Sequence, residues 1–480
     1  MPTQRRCLGM GAIGAAIAGV VVSAHAITGP SSSATPYLRR AQPGVVTKAV
    51  LTVGDSIGGY RLAGIPDGLG AFDNGDETFT LLVNHEIRDT LGIARAHGAR
   101  GAFVSRWIIR KDDLAVIHGG DLIQQVATWN AGTGAWNAPA KGVAMSRFCS
   151  ADLPPVTALY NAQSGLGYAG RMFLNGEEVS PSQEGRAFAH LMDGTSFELP
   201  ALGKASWENL LAHPDTGTRT VVVGLDDSSG SVAGQVYVYA GEKVGSADPI
   251  VAAGLANGVL LGIKVAGFPS EPAQGIPDGT PFTVHSFGNV SSSTGAAIEA
   301  ASVANGVTAF KRPEDGAWDP SNPNDFYFVT TATFTGPSRL WRLRFTDAAH
   351  PEAGGAISML LDGTEGHHML DNVVVTKRGR VLLQEDPGIP ASDPDYLATI
   401  WQYTIETDEM VALARHDPER FVLGRPGFLT RDEESSGIID ASSILGQGWF
   451  LLAVQAPYPT DTELVTGGQL LAMHVPPGRR

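Results

Sequence analysis

Hydrophobic and polar positions along this chain alternate in short runs rather than at helical spacing, and one unit recurs. It is an apolar strand ending in a polar or acidic tip, then a loop, then an alternating strand rich in aromatic or branched residues. The first copy is Phe79 to Val83 with the tip Asn84, His85, Glu86, followed by Ala102 to Ile109. Later copies are Met172 to Leu174 with Glu177 and Glu178, then Arg186 to Met192; and Thr220 to Leu225 with Asp226 and Asp227, then Gln235 to Tyr239. The fourth, Phe326 to Val329 then Leu340 to Phe345, has the acid-free tip Thr330, Thr331. The fifth is Val381 to Leu383 with Glu385 and Asp386, then Ile400 to Ile405; the sixth is Trp449 to Val454 with Gln455, then Gln469 to Val475.

Upstream of each copy an acid opens a further short strand: Asp67, Asp152 just after Cys149, Glu208, Glu314, Asp371 and Glu434. Turn signals such as His213, Pro214, Asp215, Thr216, Gly217 separate that strand from the next. Six three-strand meanders, each starting with an acid, predict an all-β fold, a six-bladed β-propeller with long inter-strand insertions. The innermost strand of every blade lines one axis, so the six acids converge there. Like charges at that spacing repel unless cations bridge them, which makes the ring an argument for bound metal. Residues 45–478 are expected to form this single domain, with insertions near 87–150 and 241–305. Val46 to Leu62 should supply the outer strand that closes the last blade, and 27–44 is expected to be a flexible N-terminal segment.

Gly 59 and Pro 30 in 480 residues agree with a turn-rich β chain. Arg5 and Arg6 before the apolar run Ala12 to Val22, ending Ala24, His25, Ala26, read as an export signal over 1–26, with the paired arginines pointing to the twin-arginine route. The protein is therefore expected to be exported, periplasmic or extracellular, with no transmembrane anchor after signal removal. Net charge is −15 and the leader removes two arginines and no acid, which argues against nucleic acid and anionic membrane as partners and suits cations. Outside the leader only Cys149 remains, so it makes no internal disulfide: its sulfur is a buried filler or has chemistry to do.

Carboxylates alone suit calcium, and a thiolate among them adds a softer transition metal such as iron or zinc. Cys149, Asp152, Glu177, Glu178, Glu208, Glu314, Asp371 and Glu434 form that mixed set, and Arg312, two residues before Glu314, puts a planar donor where an oxyanion would sit. Adjacent Glu177 and Glu178 cannot both face the axis from an extended strand, and Glu177 is taken as the inward one. Asp226, Asp227, Glu385 and Asp386 read as hairpin-tip acids that become ligands if their loops fold inward. His367 and His368 read as structural, Asp73 to Glu77 as a hairpin turn, and no phosphate-cradling loop is present.

Taken in order, Asn84-His85-Glu86, the lone Cys149, Glu177-Glu178, Arg312-Pro313-Glu314-Asp315 before Asp319-Pro320, and Asp371-Asn372 before Arg378-Gly379 resemble the PhoX-type alkaline phosphatases. The resemblance runs from about Asp67 to Gln455. It implies twin-arginine export, a six-bladed propeller, and hydrolysis of small phosphomonoesters by a cluster of iron and calcium. It further implies that Cys149 and a glutamate at 177 or 178 bind iron, that Glu208, Glu314 and Glu434 bridge iron or calcium, and that Arg312 holds phosphate. Two features depart from the pattern: bulky Trp207 stands beside Glu208, and Glu434-Ser435-Ser436-Gly437 also resembles related propellers of undefined activity. A calcium-only hydrolase acting on lactones or diesters, and a noncatalytic calcium-binding propeller, remain open alternatives.

Overall fold

The computed structural model describes residues 26–180, 184–228 and 234–476, so the expected leader lies, but for Ala26, outside the described residues. The chain folds into six antiparallel blades around one axis. The first blade is made of Pro66–Asp73, Thr78–His85, Phe103–Arg110 and Val116–Asp121, in sequence order from the inside outward. In the second, residues 148–152 form the inner edge by isolated bridges (Phe148 to Glu177, Asp152 to Leu174), and Met172–Gly176, Ala187–Leu191 and Thr195–Glu198 follow. The third runs Trp207–Ala212, Arg219–Asp226, Val236–Glu242, Val259–Val265; the fourth Pro313–Trp318, Asp325–Thr330, Arg339–Phe345, Gly355–Leu361. Leu370–Val375, Arg380–Glu385, Thr399–Thr404 and Glu409–His416 make the fifth. Glu434–Asp440, Trp449–Pro459 and Thr466–His474 make the sixth, completed by Val46–Thr52 from the other end of the chain.

Each blade thus has four strands, not three, because the outermost strand is short of aromatic residues and escapes the repeat. Two of those outer strands, Val116–Asp121 and Val259–Val265, lie within the segments 87–150 and 241–305, so the insertions proper are shorter than expected. A further strand there, Thr280–Gly288, pairs with the outer strands of blades three and four and joins them into one nine-stranded sheet. The flexible segment expected at 27–44 is instead tied down at both ends. Ala26–Thr28 pairs parallel with Val46–Thr52, Leu38–Arg40 pairs with Glu409–His416, and Tyr37 is buried beside Phe421.

The core is distributed between blades. Six of the apolar clusters match the six blade interfaces: for example Leu174 and Ala189 meet Trp207 and Val222, whereas Val221, Val223 and Leu225 meet Phe326 and Phe328. Successive residues of Arg219–Asp226 therefore serve different interfaces, the period-2 consequence of a sheet buried on both faces. Trp207, the bulky neighbour of Glu208, packs into the interface between blades two and three. A Cβ on Gly176 would stand 2.3 Å from the Trp207 Cβ, so the indole has room only because that position is glycine.

Candidate metal centre at the channel mouth

Antiparallel pairing sets the start of each inner strand beside the end of the second: Pro66 pairs with His85, Trp207 with Asp226, Pro313 with Thr330, Leu370 with Glu385 and Glu434 with Gln455. The opening acids and the acidic tips therefore share one end of the channel. The ladder also breaks where the acids lie, between Pro66 and Leu69, Trp207 and Asn209, Pro313 and Gly316, and Leu370 and Val373. Bulges re-aim side chains that a regular strand would alternate. Each releases an acid toward the axis: Asp67, Glu208, Glu314 and Asp371.

A cavity of about 330 Å³ opens at this end, lined by Asp67, Glu86, Cys149, Glu178, Glu208, Asp227, Glu314, Asp371, Asp386, Asp432 and Glu434, with Arg147 and Arg312 among them. Ligand atoms of four overlapping triads lie within 4.8 Å of one another: Asp67, Glu86 and Cys149; Cys149, Glu178 and Glu208; Glu208, Glu314 and Asp371; Asp371, Asp386 and Glu434. The chain of shared members runs round the mouth. Six of the eight predicted site residues, Cys149, Glu178, Glu208, Glu314, Asp371 and Glu434, are ligand candidates in these triads, and Arg312 stands beside them. Glu177 is not: its carboxylate takes Nε and Nη2 of Arg186 at 2.7 Å each and the amide of Ser146 at 3.0 Å. The inward member of the pair is Glu178, whose Oε2 accepts from Cys149 Sγ at 2.9 Å, and the expectation for Glu177 is corrected accordingly. Asp152 opens onto a separate cavity at the other end of the channel. His85, held by Ser105 Oγ and the Gly64 carbonyl, and His367 and His368, each bonded to a backbone carbonyl, are structural.

The crowding is electrostatically costly without cations. Burial first, then the neighbouring acids, push Asp67, Glu314, Asp371 and Glu434 well above the usual carboxylate range, and Glu208 up to about 7. Burial and Glu178 likewise raise the Cys149 thiol. Bound cations invert this logic, favouring carboxylate and thiolate. Among the described residues Asp67 Oδ1 is buried with no hydrogen-bond partner, although its Oδ2 accepts from Gln455 at 3.0 Å. An orphaned oxygen among carboxylates and one thiol fits a mixed cluster of hard and softer ions.

Two of the three arginines lining the mouth adopt left-handed backbone, Arg147 at φ 48° and Arg312 at φ 62°. Such strain persists only where the surroundings impose it and gathers at functional sites. Arg312 donates from Nε and Nη2 to the two oxygens of Asp227 at 2.9 Å and lies 2.8 Å from Glu314. Arg147 holds Glu86 at 2.7 Å and Glu178. Beneath the ligands, Ser150 Oγ donates to Glu208 at 2.7 Å, Asn372 Nδ2 donates to Ser150 Oγ at 2.6 Å, and the Gly437 amide donates to Asn372 Oδ1 at 2.8 Å. Four blades meet in that relay. Backbones approach closely there: a Cβ on Gly68 would stand 2.4 Å from Ala151 N, and Gly437, at φ 46°, has no room for one beside the Asp67 carbonyl.

No family model and no curated protein matches this sequence. Among solved structures, PhoX of Pseudomonas fluorescens, in complex with vanadate, a transition state analogue, superposes with a TM-score of 0.58 at 13% identity, over 94% of this chain and 97% of that one. The fold is PhoX-like. A Dyadobacter fermentans protein of unknown function follows at a TM-score of 0.44 and 10% identity, over 91% and 100% of the two chains. An α-L-arabinanase of Penicillium chrysogenum gives 0.38 at 9% identity, over 85% and 93%. At these identities the likeness to PhoX is one of fold, and the residues at the mouth must speak for the chemistry.

The Glu177 and Glu178 assignment has a direct test. Glu178→Gln should lower bound metal and activity at least about tenfold. Glu177→Gln should leave metal content intact and cost about 1–3 kcal/mol in denaturant unfolding, the penalty of loosening a buried charged pair. The reverse pattern would return Glu177 to the mouth.

Proposed function

We propose that this chain is a metal-dependent phosphomonoesterase that holds iron and calcium at the channel mouth. The observation that carries the reading is the run of four overlapping ligand triads, one thiol among carboxylates, with an arginine fork beside them. Cys149, Glu178 and Glu208 would hold the softer ion, and Asp67, Glu86, Glu314, Asp371, Asp386 and Glu434 the harder ones. Bound there, such cations polarise a phosphoryl oxygen and lower the pKa of water, which removes the need for a side-chain nucleophile. The chain's own residues then position the ester. Arg312 donates to the phosphoryl oxygens while Asp227 fixes the plane of its guanidinium, and Arg147 presents a second cation from the adjoining wall. Ser150 and Asn372 keep the Glu208 carboxylate in one orientation from below. Export to the periplasm or beyond belongs to the same reading and rests on the leader at 1–26; among the described residues no helix is long and apolar enough to cross a membrane.

The test is elemental analysis together with turnover. Protein purified from its own host should contain iron and calcium and release phosphate from an aryl monophosphate, and Cys149→Ala should lose the iron. Calcium alone, with hydrolysis of lactones or diesters and none of the monoester, would overturn the proposal.

A further inference from the structure

We propose that a further cavity on the face opposite the mouth, distinct from the one at Asp152, binds a small organic anion: a carboxylate or phosphate joined to an apolar body. The cavity measures about 490 Å³, larger than that at the mouth, and within the range of about 300–1,000 Å³ usual for small-molecule sites. It lies where Leu370–Val375 and Glu434–Asp440 end rather than where they begin. At about 3.3 Å per residue, Val375, where the strand ends and the cavity begins, is roughly 13 Å along it from Asp371. The inference is independent of what the mouth does.

Its chemistry is opposite to that of the mouth. Lys377, Arg378 and Arg380 line it from one tight turn, closed by the Gly379 amide on the Thr376 carbonyl. In a chain of net charge −15 none of the three forms an ion pair among the described residues. Arg380 is half-buried, its Nη1 donating to the Pro476 carbonyl at 3.2 Å; burial and then Arg378 hold its pKa below the usual value. The one carboxylate in the lining, Asp440, is engaged with the Ser442 amide at 2.8 Å. Val375 and Phe450 supply apolar wall. Apolar surface with a few convergent donors is the ordinary composition of a small-ligand site, and three cations against one carboxylate, none of them in an ion pair among the described residues, select an anion for it.

The test uses full-length protein carrying Arg312→Ala, to weaken oxyanion binding at the mouth, titrated calorimetrically with phenylphosphonate, which is not a phosphate ester, and in parallel with benzoate. Saturable binding is expected for at least one probe, and which one binds tells phosphate from carboxylate. Adding Lys377→Glu with Arg378→Glu, both exposed positions, should weaken it at least about tenfold. Ser443→Trp, which fills the cavity without changing charge, should do the same. No saturable binding up to 10 mM, or binding indifferent to both changes, overturns the proposal.

Discussion

Stripped of cations by a chelator, a protein working as proposed is expected to stop releasing phosphate and to melt about 10 °C lower. An ion at a thousandfold its Kd stabilises the folded chain by about 4 kcal/mol. Unfolding entropy of about 2.1 cal/mol/K per residue turns that, for a chain of this size, into about 4 °C for each ion, and the overlapping triads accommodate more than one. The loss should grow with pH. In the stripped protein Glu208 sits at about 7, above its unfolded value near 4.5, so its neutral form is favoured in the fold. The stability it contributes is complete below about 4.5 and disappears as pH rises through about 7. Asp67, Glu314, Asp371 and Glu434 shift the same way. Calorimetry at pH 5 and pH 8, with and without chelator, should show the cation effect larger at pH 8. Equal melting with and without chelator at both pH values would mean that no ion is held at the mouth.

Arg312→Ala should lower kcat by about 10²–10³, the usual effect of removing one preorganised donor to a developing oxyanion. Metal content should be close to unchanged, because the guanidinium is not a ligand. Lysine should restore little: Asp227 receives two parallel bonds from a planar fork, and an ammonium cannot both keep that plane and face the substrate. Asp227→Asn, which leaves the fork in place but less firmly held, should cost less than the alanine. Unaltered kcat in Arg312→Ala would remove the arginine from the reaction, whatever the metal analysis shows.

Much of this arrangement was readable in the residues. The alternation from Phe79 to Val475 marks the two middle strands of every blade, since both their faces pack and their composition is constrained. The outer strands carry weaker signals, because Val116–Asp121 has solvent on one side and tolerates polar residues such as His118. The acids opening the inner strands were legible from their repetition. What alternation cannot supply is the bulge. A strict period of two forbids both Glu314 and Asp315 from leaving the ladder, yet the break between Pro313 and Gly316 lets Glu314 rise to the mouth while Asp315 accepts from Asn209 at 2.6 Å below. The choice between Glu177 and Glu178 depended on Arg186, which lies across a hairpin. Glu86, Asp227 and Asp386 stood in the tips and were read as hairpin acids or passed over as ligands. Their signal was antiparallel pairing, which returns the end of a second strand to the level where the first begins. Asp432 and Arg147 come from connecting segments with no repeat, and nothing periodic marks them.

The clasp between Val46–Thr52 and Thr466–His474 bears on timing. Its partners are separated by nearly the whole polypeptide, so the sixth sector stays unfinished until the strand at 466–474 has been made and finds the one made first. Until then the carboxylates contributed by the first and last sectors are not held at a common distance, and a partly synthesised chain offers ions loose, separate sites in place of a cage. On the proposed metal-dependent reading, the compartment in which the clasp fastens is therefore the one whose ions the mouth would take up.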